Sequence, residues 1–134
     1  LHPGHVSFLE DAKNACSKLI VIIASDRTVG IQKGQERPFI NELKRAQTIA
    51  GLECVDAVII SDEQYHEKIF AALQPDFMFK GHDYADKNII GANMVGEVKI
   101  IPCAEDNFFS STRLVEAIRD ARKDTPPSWD SPII

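Results

Sequence analysis

Two histidines stand three residues apart at the start of the chain, in Leu1-His2-Pro3-Gly4-His5-Val6. A pair of imidazoles can donate hydrogen bonds to oxygens on which negative charge builds, as it does when a phosphoryl or nucleotidyl group is transferred. The residues that follow, Val6, Phe8, Leu9, Ala12, Ala15 and Cys16, recur with helical spacing. Pro3-Gly4 reads as a turn, since proline fixes φ and glycine accepts angles that other residues refuse. The helix is then expected from His5 to Cys16, with His2 on the turn and His5 in the first helical turn. A helix N-terminus has unpaired N–H groups and a partial positive charge, which suit a phosphate. Two surface histidines on a tight turn would look the same in isolation, so the remaining chain has to decide.

Three more clusters have chemical potential. In Lys80-Gly81-His82-Asp83-Tyr84, the glycine lets a ligand approach the backbone, Lys80 offers a charge, and Asp83 can accept from a hydroxyl or hold a metal-bound water. A plain glycine turn with a solvated lysine is the alternative. Ser110-Ser111-Thr112-Arg113 supplies hydroxyls and free N–H groups at a helix start, with a guanidinium close behind. That combination suits a polyphosphate, and its plain alternative is a serine cap beside a surface arginine. Lys33 and Arg37 lie on the polar stretch 26–38, which contains Gly30 and Gly34 and reads as a mobile loop. Such a loop could close over a charged substrate, or simply solubilise the surface. Arg45, on the next helix, reads as a surface charge.

Strands must alternate with helices to bring these groups together. Lys18–Ser25, Val55–Ile60, Phe77–Phe79 and Val98–Ile101 are apolar, β-branched or aromatic runs, the mark of strands covered on both faces. Between them, helices are expected over 41–50, with Asn41 as cap, over 64–73 up to the Gln74-Pro75 step, and over 88–95. A last helix, capped by Ser110 or Ser111, carries Leu114, Val115 and Ile118 on one side. The pattern predicts an α/β domain: a doubly wound, Rossmann-like parallel sheet flanked by helices. Ligands of such sheets sit beyond the C-terminal strand ends, and each polar cluster falls just after a strand. Because the sequence opens inside its own motif, a strand ahead of Leu1 is expected to aim the first helix.

The 134 residues suffice for one domain, expected over 1–123. A tail over 124–134 follows, with three prolines and Trp129. A net charge of −5 argues against a general nucleic-acid binder, which would show a basic face. No apolar run approaches the ~18–20 residues of a membrane span, and no signal-peptide pattern is visible. Cys16, Cys54 and Cys103 are widely spaced in apolar surroundings and read as buried, reduced thiols of a cytoplasmic protein.

Six motifs occur in order: His2-Pro3-Gly4-His5, Lys33-Gly34 with Arg37-Pro38, Arg45-Ala46, Val55-Asp56, Lys80-Gly81-His82-Asp83-Tyr84, and Ser110-Ser111-Thr112-Arg113. In this the chain resembles the HxGH nucleotidyltransferases, within their cytidylyltransferase-like group. It is most similar to the adenylyltransferase domain of bacterial ADP-heptose synthase, over residues 1–118. The resemblance implies transfer of a nucleotidyl group from ATP or CTP, ATP favoured, to a phosphorylated small-molecule acceptor such as a sugar 1-phosphate. Pyrophosphate is released, Mg²⁺ accompanies the nucleotide without dedicated protein ligands, and no covalent intermediate forms. It further implies that His2, His5 and Lys33 are catalytic and that Gly4, His5, Lys80, Gly81 and Asp83 bind the nucleotide. Ser110, Ser111, Thr112 and Arg113 would hold its outer phosphates, and Lys33 and Arg37 would meet the acceptor. A homodimer is implied too. Two departures bear on specificity: His82 stands where the heptose enzymes often have a second glycine, and Asn107-Phe108-Phe109 precedes the serines where Gly-Ile or Gly-Arg is usual. Glycerol-3-phosphate cytidylyltransferase and FAD-synthetase specificities are the enzymatic alternatives, and a catalytically silent nucleotide-binding module is the other.

Overall fold

The computed structural model describes residues 1–33, 40–84, 88–102 and 111–123. In chain order these form α1 (Pro3–Asn14), β1 (Ile20–Ala24), α2 (Asp26–Lys33), α3 (Glu42–Ala50), β2 (Ala57–Ser61), α4 (His66–Leu73), β3 (Phe77–Gly81), β4 (Glu97–Ile101) and α5 (Ser111–Lys123). Short 3₁₀ turns occupy Glu63–Tyr65, His82–Tyr84 and Ala92–Met94. The expected α/β architecture with parallel strands is present. It takes the form of two two-stranded sheets, β1 with β2 and β3 with β4, where one continuous sheet was expected. Register runs from Ile20 opposite Ala57 to Ala24 opposite Ser61, and from Phe77 opposite Glu97 to Gly81 opposite Ile101.

The core lies under α1. Leu9, Ala12 and Leu19 are buried, and Val21 of β1, Phe79 of β3 and Ile101 of β4 pack against them. One helix therefore covers strands of both sheets. Ala12 is 0% exposed, so the helix backbone lies close to the strands. Fully buried strands were expected, whereas most β1 and β2 residues are only half-buried and Ile20 is exposed.

Asp56 fixes which way α1 points. Its carboxylate accepts from Lys13 Nζ at 2.6 Å, in the last turn of α1, and from the Leu19 N–H at 2.7 Å, just ahead of β1. Lys13 also donates to the Ser17 carbonyl at 2.8 Å, and Lys18 Nζ stands 3.9 Å from the other carboxylate oxygen. Asp56 immediately precedes β2, so the C-terminus of α1 stands at the N-terminal edge of β1 and β2. Twelve residues span about 18 Å at ~1.5 Å each, close to the ~17 Å of a five-residue parallel strand. His2 and His5 therefore come level with the C-terminal strand ends.

Several boundaries differ from expectation for physical reasons. Pro3 and Gly4 belong to α1 itself, because proline at a first helical position has a suitable φ and an N–H that would be unpaired anyway. The stretch after β1, expected to be a loop, starts as the helix α2. Ser25 Oγ accepts the Thr28 N–H at 3.2 Å and the Ser25 carbonyl accepts the Val29 N–H at 3.0 Å, so a serine cap nucleates it. Residues 34–39, including Arg37, lie outside the described residues. Asn41 caps α3 as expected, accepting from the Lys44 N–H at 2.9 Å. Strand β3 runs on to Gly81, which puts Lys80 and Gly81 in the strand and not after it. Only Ala92–Met94 of the helix expected over 88–95 forms, as a 3₁₀ turn entered through Gly91 at φ 80°. On α5, Leu114 and Ile118 are 52% and 54% exposed. Cys16 and Cys54 are free and half-buried, where full burial was expected. Cys103 and the tail 124–134 lie outside the described residues. No helix among the described residues is long and apolar enough to cross a membrane.

Two predictions follow from this packing. A Cβ at Gly91 would come within 2.2 Å of the Phe70 ring, on top of the positive φ. Gly91→Ala should therefore lower unfolding free energy by about 1–3 kcal/mol in a denaturant titration. The hydrogen bond from Lys13 and then that from the Leu19 N–H hold the Asp56 carboxyl below the usual aspartate range. A depressed carboxyl pKa gives stability that is complete above the unfolded-state value and lost as pH falls through the folded one. Asp56→Asn should flatten the acid limb of the stability–pH curve, and an unchanged limb would dismiss the carboxylate's role.

Candidate active site

The N-terminus of α1 is the best-defined part of the site. His2 is its N-cap, with extended backbone angles (φ −138°, ψ 169°), and its carbonyl accepts the His5 N–H at 2.9 Å. The two rings stack, with centroids 3.7 Å apart and planes 29° from parallel. His5 reaches back, so that its Nδ1 accepts the His2 backbone N–H at 3.2 Å. A nitrogen that accepts carries no proton, so a neutral His5 must hold its proton on Nε2, as a donor. No acidic residue occupies the first turn of α1, and the partial positive charge of the helix end stays uncompensated. Burial lowers the His2 pKa from the usual imidazole value. His2 Nδ1 is buried with no partner among the described residues. An open cavity of about 470 Å³ lies beside it, lined by Leu1, His2, Pro3, Val6, Ser7 and Glu10.

The second part is the end of β3. Phe79 packs toward the core beneath α1, so alternation along the strand puts Lys80, like the buried Met78, on the opposite face. Gly81 ends the strand, and Asp83 folds back over it. A Cβ on Gly81 would stand 2.8 Å from Asp83 Oδ1, so the bare glycine makes room for that carboxylate. The 3₁₀ turn His82–Tyr84 closes over the ends of β3 and β4.

This geometry belongs to a known set of proteins. A cytidylyltransferase-like family model matches residues 1–117. The bifunctional protein HldE of Koribacter versatilis is 43% identical over 120 residues, covering 87% of this chain and 24% of that protein. HldE of Campylobacter jejuni (strain 81116) is 38% identical over 122 residues, covering 91% and 26%. The chain belongs to the cytidylyltransferase-like family. It is a nucleotidyltransferase, and it spans about a quarter of the length of these curated relatives. Among solved structures, the lipopolysaccharide core biosynthesis protein from Thermoplasma volcanium is similar at TM-score 0.60 and 27% identity, over 78% of this chain and 87% of that one.

Within the cytidylyltransferase-like domain, the residues singled out from sequence divide into three groups. His2, Gly4 and His5 share the first turn of α1, and Gly81 and Asp83 touch at the end of β3. Lys33 is the last residue of α2, Ser111 and Thr112 open α5, and Arg113 is exposed one residue further on. Ser110 and Arg37 lie outside the described residues. Sequence reading missed a further set. Arg45, taken for a surface charge, donates to the Ala24 carbonyl at 2.8 Å, to Asp26 Oδ1 at 3.0 Å and to the Ile40 carbonyl at 3.1 Å. Glu42 accepts the Asp26 N–H at 2.7 Å, and Asp62, after β2, bonds Ser25 Oγ. Apart from the Arg45–Ile40 bond these contacts are long-range, and spacing alone does not reveal them.

His2 should titrate below the ~6.5 of a free imidazole in a ¹H–¹⁵N NMR pH series, because burial disfavours its charged form. A value at or above that of a free imidazole would contradict the environment described.

Proposed function

We propose that this nucleotidyltransferase moves AMP from ATP onto a sugar 1-phosphate such as heptose 1-phosphate and releases pyrophosphate. The stacked His2–His5 pair at an uncompensated helix N-terminus carries the proposal. It presents an Nε2–H donor and the positive end of the helix dipole to an anion, and needs no base. A sugar acceptor is supported by the HldE relatives and by the neighbour named for lipopolysaccharide core biosynthesis.

In this reading an acceptor phosphate oxygen attacks the α-phosphorus in line while the bond to the β-phosphate oxygen breaks. The acceptor phosphate is already an anion, so no proton has to be removed from it. Its negative charge, and the charge gathering on the departing pyrophosphate, are what the protein must balance. His5 Nε2–H and the α1 N-terminus donate to the nucleotide phosphates where that charge grows, and His2 packs against His5 to hold its ring. Ser110, Ser111, Thr112 and Arg113 at the start of α5 take the β- and γ-phosphates. Lys80, Gly81 and Asp83 line the nucleoside side, and Lys33 and Arg37 neutralise the acceptor. Among the described residues no group of three or more His, Cys, Asp or Glu is placed to hold a metal ion. Mg²⁺ belongs to the proposal as the nucleotide's own counter-ion, supplying charge neutralisation on its phosphates, as the family resemblance implies. A homodimer belongs to the same reading and rests on the family alone, and a cytoplasmic location rests on the widely spaced cysteines.

Pyrophosphate release should appear with ATP plus a heptose or hexose 1-phosphate in a panel that includes CTP, glycerol 3-phosphate and FMN. Release with CTP or FMN alone would transfer the chain to a sister specificity, and nucleotide binding without turnover would make it a silent module. His5→Ala should lower kcat about 10²-fold or more while changing the KM for ATP little. An unchanged kcat would remove His5 from the chemistry.

A further inference from the structure

After β1 the chain enters α2, with Lys33 as its last residue, and α3 starts at Glu42. The start of α2 and residue 40, just ahead of α3, meet one guanidinium. The Nη2 of Arg45 donates to the Ala24 carbonyl at 2.8 Å and to Asp26 Oδ1 at 3.0 Å. Its Nε donates to the Ile40 carbonyl at 3.1 Å. The side chain is 22% exposed, so a mostly buried cation is spent on these three acceptors. Glu42, on the same turn of α3, takes the Asp26 N–H at 2.7 Å. From the other side, Asp62 bonds Ser25 Oγ, and that hydroxyl caps α2. The first turn of α2 is thus gripped from α3 and from the end of β2.

We infer that Arg45 is a positioning residue for the transfer reaction, tying Ala24 and Asp26 to Ile40 so that α2, whose last residue is Lys33, keeps its place at the end of β1. The inference rests on the proposed reaction and on the charge assigned there to Lys33. Arg45 itself touches backbone and Asp26, so it acts through the placement of another group. Lysine cannot replace it, because a single ammonium on a flexible stem does not span two acceptor sites held apart.

The test is a double-mutant cycle on the full chain, read as kcat and as separate KM values for ATP and acceptor. Lys33→Ala and Arg45→Ala should each lower kcat/KM for the acceptor by about tenfold or more. The double variant should be no worse than Lys33→Ala alone, since nothing remains for Arg45 to place. Arg45→Lys should behave like Arg45→Ala. Asp26→Asn, which keeps the backbone N–H to Glu42, should give a smaller loss in the same direction. It also serves where Arg45→Ala proves too unstable, with Tm measured for every variant. Additive losses, a loss confined to Tm, or full activity in Arg45→Lys would each overturn the clamp. So would an unchanged Lys33→Ala, since Arg45 would then have no catalytic group to place. All four outcomes leave the nucleotidyl-transfer reading intact, whereas a wild-type chain that releases no pyrophosphate overturns that reading and the clamp with it.

Discussion

A pair of five-residue parallel strands buries too little to persist alone, and this fold contains two such pairs. The helix that lies across both makes them one body. Leu9 and Ala12 on α1, with Leu19 at the entry to β1, meet Val21, Phe79 and Ile101 from three strands of the two sheets. Burying a leucine contributes about 2 kcal/mol, so this seam is a large share of what a marginally stable domain has available. The fully buried Ala12 marks where the helix approaches most closely. A longer side chain there would lift α1 off both sheets at once.

The same helix links stability to chemistry. Its far end holds the stacked histidines, and its near end is tied by Lys13 to Asp56. An α-helix is stiff over three turns, so the Asp56 contact, the core seam and the orientation of His5 are one mechanical chain. Charge is used in a parallel way at the other edge, where Arg45 and Glu42 hold the start of α2. Exposed ion pairs contribute little to stability. These carboxylates and the guanidinium also bond backbone groups, and such bonds fix direction where a simple surface pair would not.

How far the sequence reveals this depends on whether a feature is local. The β-branched runs, the Asn41 cap and the order of the six motifs are all local, and each corresponds to an element of the structure or to the family match. Pro3-Gly4 is ambiguous by nature, since the same pair suits a turn or the first positions of a helix, and only the His2 cap geometry decides. The start of α2 was misread because its polar residues and Gly30 suggest a loop and the local Ser25 cap was passed over, while Asp62 and Glu42 supply supporting bonds from elsewhere in the chain. Arg45 was misjudged for the same reason. The pairing of strands into two sheets is also a long-range property, which apolar runs do not record.

An acidic domain that handles phosphates presents a paradox only when charge is summed. The net charge of −5 is spread over the surface and screened beyond about 8–10 Å. In the proposed reading a nucleotide at the α1 N-terminus instead meets a helix end with no carboxylate in its first turn, and a histidine whose Nδ1 accepts a backbone bond. Burial favours the neutral form of His2, in which it stacks on His5 without charge repulsion, and a neutral His5 carries its proton on Nε2. Were His5 to take a second proton, it would lose the Nδ1 acceptor and break the bond that orients it. A site built this way works through oriented dipoles at the helix end, and in the proposed reading full positive charge comes from other parts of the chain.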